Sequence, residues 1–550
     1  MEMKDQHTAA SGLAVAEAGK AGGPPQQWGA NAPAETDPSY KWKVLVAVLG
    51  GLFIVLLDTT VVNVALRGLQ DQYGVKTNEA QWTISLYTLA LGIATPLSAF
   101  LGNRFGTKRI YVGGIALFVI GSLLCGLAIS FSRDIFWLIA ARAVQGVGGG
   151  IALPLGTGLL FAAFPPAERG KALGIFGISL VFAPAIGPLL GGAFVDAKLI
   201  PWIFYINVPL GIIAVFIASR FLREQRSSST ARTDWLGIFF STIGFGSVLY
   251  AASIAGEEGR GWGDPLVLTL FAVGFVGLIL FTITELRVKD PVLDIRLFQI
   301  RSFALANLVG YVGIIALFGA EFLLPLYLQI LRGKSAFDTG LFLLPLAITA
   351  GILIPIAGIV ADRIGPRLPL VLGFLLLAVN TWQLAQIKLD TDLGYITLLL
   401  IIRGVGFALV IQNSFVAALR DVPVQETTGA SALVNSTRQV VQAIGVAALA
   451  TVLTKALTPG QAPSGTASAA RLDFANLPAN LPPPAREAIL KFGNEYINGF
   501  EACYWITFGL AVASAVLALT LPGWPGRYER MSSSQQADQK SSDSAPVMAH

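Results

Sequence analysis

Apolar runs of about 18–25 residues, separated by short polar or charged turns, recur along almost the whole chain. A run of that length crosses the ~30 Å hydrocarbon layer of a bilayer as an α-helix, at about 1.5 Å per residue. The pattern predicts fourteen spans, over 43–66, 82–101, 110–130, 136–163, 172–196, 201–221, 234–255, 265–286, 303–330, 340–360, 368–387, 394–417, 432–454 and 500–521. A soluble protein of buried helices would need charged faces between its apolar stripes, and these runs lack them.

Composition agrees: 54% of the 550 residues are hydrophobic, 13% are charged, and the mean hydropathy is +0.66. Residues 1–42, rich in Ala, Gly, Pro and polar side chains, read as a disordered tail with no signal-like apolar core. Residues 522–550, rich in Ser, Gln and Asp, read as a second tail. Segment 455–499, with Leu481-Pro482-Pro483-Pro484, reads as a long exterior loop and not as a further span.

The net charge of +5 forms no basic face or long basic run, so it does not indicate nucleic acid. It reports orientation. With the N-terminus inside, sixteen Lys and Arg residues fall in inner loops, among them Arg104, Lys108, Arg109, Arg169, Arg223, Arg363 and Arg367, and eight fall outside. Positive residues favour the cytoplasmic side, so both termini are expected there, in a cytoplasmic (inner) membrane.

Cys125 and Cys503 form no spacing motif, and His7 and His550 lie in the tails. No disulfide, metal or cofactor is therefore expected, and a membrane enzyme built on His, Cys or paired carboxylates has no catalytic set. A sensor would need a sizeable soluble domain, which neither tail is apolar enough to form.

The layout contains an internal repeat. Leu101-Gly102-Asn103-Arg104-Phe105-Gly106-Thr107-Lys108-Arg109 follows the second span, and Val360-Ala361-Asp362-Arg363-Ile364-Gly365-Pro366-Arg367 follows the tenth. Both place a polar-Arg-x-Gly-x-basic turn between two helices, as parallel repeats of a secondary transporter would. With six helices per repeat, 43–221 and 303–521 are two six-helix bundles, and 222–302 is a two-helix insertion.

At these residues the chain resembles the major facilitator superfamily, in particular its fourteen-helix drug:proton antiporters of the EmrB/QacA type, over roughly 43–521. The resemblance implies an all-α integral membrane protein with two six-helix bundles and two extra central helices. The repeated turn is similar to the family's motif A, which latches the halves together by pairing charge with a helix end. The second copy keeps Gly358, Asp362, Arg363 and Gly365; the first has Ala99 and Asn103 in place of Gly and Asp, which implies a weaker latch there.

Arg142, Gln145 and Gly146 in the fourth span look like motif B, where a buried Arg takes part in proton coupling. An Arg inside an apolar span costs at least ~2.5 kcal/mol and needs a partner or water, so snorkelling to the outer edge is the competing reading. Gly187, Pro188, Gly191 and Gly192 in the fifth span are closely similar to the antiporter motif C, which marks exporters; plain small-residue packing is the alternative.

The first span, Leu57-Asp58-Thr59-Thr60-Val61-Val62-Asn63, resembles the family's first-helix motif. Desolvation penalises the charge of Asp58, and a neighbouring Arg142 would favour it, so the two together suit a proton carrier; a permanent ion pair fixing two helices is the structural alternative. Glu321 is the other intramembrane acid, a candidate for a cationic substrate or a second proton, or simply facing water near the outer end. Arg403, and Arg438 with Gln439, are read as helix-end residues that snorkel or bridge the halves. The tenth and thirteenth spans carry no acid in their apolar interiors, which argues against specificity for dications. Trp82, Tyr87, Phe318, Phe322 and Tyr327 are candidates to line a cavity or anchor at the interface.

Gly333-Lys334-Ser335 is no phosphate-binding loop, because position 328 is Leu where that motif needs Gly. An ion gradient is then the expected energy source, with protons fitting Asp58 and sodium left open. The function expected is gradient-driven export of lipophilic or cationic drugs, with transport of a specific metabolite as the rival. Partners expected are a small-molecule substrate, protons and membrane lipids, with a periplasmic adaptor implied by the resemblance.

Overall fold

The computed structural model describes residues 39–165, 168–224, 234–255, 261–288, 291–423, 426–456, 473–477 and 481–521. The expected tails therefore lie outside the described residues, except for 39–42. Fourteen helices are long and apolar enough to cross a membrane. They are α1 (Tyr40–Tyr73), α2 (Thr77–Phe105), α3 (Thr107–Phe131), α4 (Ile135–Ala163), α5 (Arg169–Asp196), α6 (Asn207–Phe221, preceded by a helical turn Trp202–Tyr205) and α7 (Trp235–Ala255). The rest are α8 (Pro265–Arg287), α9 (Arg301–Leu326), α10 (Ala336–Ile364), α11 (Arg367–Leu384), α12 (Leu393–Leu419), α13 (Thr427–Lys455) and α14 (Pro483–Leu519). No strand occurs among the described residues beyond an isolated bridge between Arg332 and Asp473. The chain is an all-helical multi-pass membrane protein.

Helix starts follow local chemistry. Asp134 caps α4, Asp264 with Pro265 starts α8, Ser335 and Asp338 form a capping box on α10, and Asp392 caps α12. One boundary departs from expectation. The last helix begins at Pro483, so 483–499 is helical where a loop was expected. The proline cluster stands at the helix start, where a missing N–H costs nothing, and does not interrupt a helix.

Small residues set the packing. On α4, Gly146 and Gly150 bring the helix against the carbonyls of Tyr87 and Leu91 on α2, while Gly148 meets the backbone of Phe118 on α3. Any Cβ there would collide with backbone that cannot yield. α5 and α10 lie together along most of their length: Gly170 against Gly358, Gly174 against Pro355, Gly340 against Pro188, and Gly192 against Phe337. α7 packs on α8 through Gly244 and Gly277, and reaches α2 and α13. α8 leaves Leu268, Phe275, Val276 and Ile279 exposed, an apolar face of the kind lipid covers.

The two repeated turns fold alike. Gly106 and Gly365 end α2 and α10 with φ of 104° and 84°, values that favour glycine, and each donates its N–H to the carbonyl four residues back.

Candidate functional site

Asp58 lies in α1 and Arg142 in α4, each 1% exposed. Arg142 Nη1 donates to Asp58 Oδ2 at 2.5 Å. Two amides complete the carboxylate's shell: Gln145 Nε2 donates to Oδ1 at 2.9 Å, and Asn207 Nδ2 donates to it at 3.1 Å. Arg142 has further partners. Its Nε donates to the carbonyl of Thr83 at 2.9 Å, its Nη1 to Gln145 Oε1 at 2.7 Å, and the guanidinium stands 3.9 Å from the Tyr87 ring. Asn207 also donates to Ser122, whose hydroxyl donates to the carbonyl of Phe204. One charge pair thus joins α1 to α4, with α2, α3 and α6 holding it.

This geometry replaces the snorkelling reading of Arg142, because the side chain is fully enclosed and points at a carboxylate. It also reassigns Tyr87, whose ring covers the guanidinium. Asn207, Ser122 and the Thr83 carbonyl were not legible in the sequence: a single Asn or Ser near a helix end carries no motif. Asn63 and Phe322 have side chains outside the described set.

A second acid–base pair occupies the matching place in the other repeat. Glu321 on α9 accepts from Arg403 Nε on α12 at 2.7 Å, with Glu321 25% exposed and Arg403 2%. Arg403 also donates to Asn380, Thr381 and the Leu317 carbonyl. Arg403 is therefore an interior ion-pair partner ten residues into α12, not a snorkelling helix-end residue. Glu321 faces an arginine and not merely water. Tyr327 is buried against Phe500 and donates to the Lys388 carbonyl, so it ties the end of α9 to the loop between α11 and α12. Trp82 sits tilted against Tyr250 of α7.

The repeated turns differ in what they hold. Asp362 accepts from the backbone N–H groups of Gly170 at 2.8 Å and Lys171 at 3.0 Å, the first turn of α5. This is a carboxylate on a helix N-terminus, favoured by both the free N–H groups and the helix dipole. Asn103 is exposed and makes no hydrogen bond among the described residues, and Arg104 and Arg363 are exposed. The first turn is tied instead by Glu224, which accepts from Lys108 N at 3.1 Å and lies 3.6 Å from Arg109. Of the motif C residues, Gly187 brings α5 against Thr60 and Val61 of α1, while Pro188 and Gly192 face α10; Gly191 is buried.

Fourteen spans, two turns of one pattern and two interior acid–arginine pairs are features of a membrane transporter. Residues 48–446 match the family model of the Major Facilitator Superfamily, and the chain belongs to that superfamily. It is 35% identical over 440 residues to the puromycin resistance protein pur8 of Streptomyces alboniger, covering 79% of this chain and 86% of that protein. It is 31% identical over 421 residues to the lincomycin resistance protein LmrB of Bacillus subtilis, covering 76% and 87%. An MFS-type transporter of the same organism, YhcA, is 36% identical over 415 residues, covering 76% and 77%. Among solved structures, a XylE double mutant superposes with a TM-score of 0.58 at 12% identity, over 89% of this chain and 97% of that one, which shows the shared fold.

Proposed function

We propose that the protein exports lipophilic or cationic drugs and other toxic compounds across the cytoplasmic membrane in exchange for protons, by alternating access. The observation that carries this reading is the enclosed Asp58–Arg142 pair. A proton on Asp58 cancels the charge that holds Nη1, while Arg142 keeps the Thr83 carbonyl, Gln145 Oε1 and the Tyr87 face as fallback partners. The link between α1 and α4 therefore has two arrangements, which is what coupling a proton to a helix movement requires. The resistance proteins among the relatives support a drug-like cargo.

In this reading 43–221 and 303–521 are the moving halves, 222–302 is the insertion, and both termini face the cytoplasm. Asp362 on the first turn of α5 latches the halves on the cytoplasmic side when the path is open outward. Opening inward breaks these bonds. Lipid contacts the outer face of α8, while a periplasmic adaptor rests on resemblance alone. Everted vesicles loaded with a fluorescent lipophilic substrate test the scheme. Uptake should need an imposed pH gradient, collapse with a protonophore, and vanish in Asp58→Asn although that variant still inserts. Full gradient-driven uptake by Asp58→Asn would remove Asp58 from the mechanism.

A further inference from the structure

Among the described residues three arginines lie within the spans away from helix ends, and two of them, Arg142 and Arg403, face carboxylates. Arg438 does not. It sits eleven residues into α13, about 17 Å from the start of that helix, which puts it deep in the membrane. Its surroundings are neutral. Nη2 donates to Ser414 Oγ of α12 at 3.2 Å, and the guanidinium stands 5.3 Å from the Phe415 ring. Across from it Gly310 of α9 has no side chain; a Cβ there would come within 2.8 Å of Nη2, so this glycine makes the room the guanidinium occupies. The neighbouring Tyr311 hydroxyl, itself uncharged, donates to Thr437 at 2.7 Å. Arg438 Nε is shielded from solvent and has no hydrogen-bond partner.

A guanidinium inside a membrane protein is retained where a counter-charge or water meets it. No acid of this chain meets Arg438 among the described residues. The Nε edge left free is half of the fork that binds an oxyanion through two parallel hydrogen bonds. Phe415, buried beside it, makes the wall of that edge apolar. The side chain lies where α9, α12 and α13 converge, and α13 also contacts α2, α4 and α7, so the site borders the seam between the two halves.

We infer that Arg438 is the anion subsite of the transport path, and that the cargo includes lipophilic compounds carrying one oxyanion such as a carboxylate. The counter-ion missing from the protein arrives with the substrate, held by Nε and Nη2 with the Ser414 hydroxyl beside them. Gly310 and Phe415 set the space around it. This rests on the export reading for the word cargo, but its test does not use transport.

Equilibrium binding of a dansylated fatty acid and of its carboxamide to the full chain in phosphatidylcholine vesicles, without any gradient, isolates the charge. The wild type should bind the acid about tenfold or more tightly than the amide. Arg438→Gln should erase that preference while keeping amide affinity, which also certifies its fold, and Arg438→Lys should keep part of it. Equal binding of acid and amide by the wild type, or a preference that survives Arg438→Gln, overturns the inference. So does a preference that is absent in phosphatidylcholine while Arg438→Gln alters stability only in vesicles containing an anionic lipid, since the occupant is then a lipid phosphate. Loss of gradient-driven export in vesicles, with acid preference intact, would count against proton coupling and leave this site standing.

Discussion

The carboxylates of Asp58 and Glu321 occupy corresponding helices, α1 and α9, and each meets an arginine of the fourth helix of its repeat. Their shells differ. Asp58 is enclosed by three side-chain donors, whereas Glu321 keeps a quarter of its surface open. Breaking such a pair from one side leaves a buried charge without its partner, which costs about 3–5 kcal/mol, while removing both is often neutral. Glu321→Ala should therefore lower the thermal unfolding midpoint in detergent markedly. The double change Glu321→Ala with Arg403→Leu should recover most of the loss. A single variant as stable as the wild type would show that the pair contributes nothing to the fold.

At the scale of elements, the repeated turn shows how one local pattern acquires two uses. Both copies end a helix on a glycine with positive φ. Only the second delivers a carboxylate to the neighbouring helix, because Asp362 stands over the first turn of α5 and Asn103 stands over nothing among the described residues. Removing a carboxylate cap costs about 0.5–2 kcal/mol, against about ±0.5 kcal/mol for an exposed polar side chain. Asp362→Ala should slow substrate uptake by vesicles severalfold or more, and Asn103→Ala should leave it near the wild-type rate. Equal losses in both variants would mean that the two turns act alike. Glu224 at the start of α3 is the element that makes the first turn independent of its own Asn.

For the whole molecule, the first and last six helices meet at α5 against α10 and α12, and at α13 against α2 and α4. At the second contact the Thr157 and Ser431 hydroxyls lie 2.6 Å apart. Alternating access requires this contact to open in each cycle. A Thr157→Cys with Ser431→Cys pair should form a disulfide that stops transport, with a reducing agent restoring it; Cys125 and Cys503 are buried and should not interfere. Transport that continues at full rate with the bond formed would exclude separation at this place.

Span number, the repeat and the two intramembrane acids are written in the chain itself, because apolar length and charge placement are local properties that a bilayer reads one helix at a time. The same holds for the glycines ending α2 and α10, which a turn demands whatever surrounds it. Where a residue's role depended on a partner 82 or 149 positions away, the chain was silent. Arg403 looked like a helix-end residue and is the partner of Glu321, and Asn207 carried no signal although it holds Asp58. Pro483 read as a breaker and starts α14, since only its position relative to the helix end decides which it is. Arg438 shows the same limit most clearly. Its charge is plain in the sequence, but that no acid among the described residues meets it is a fact of packing, settled when α9, α12 and α13 come together around it.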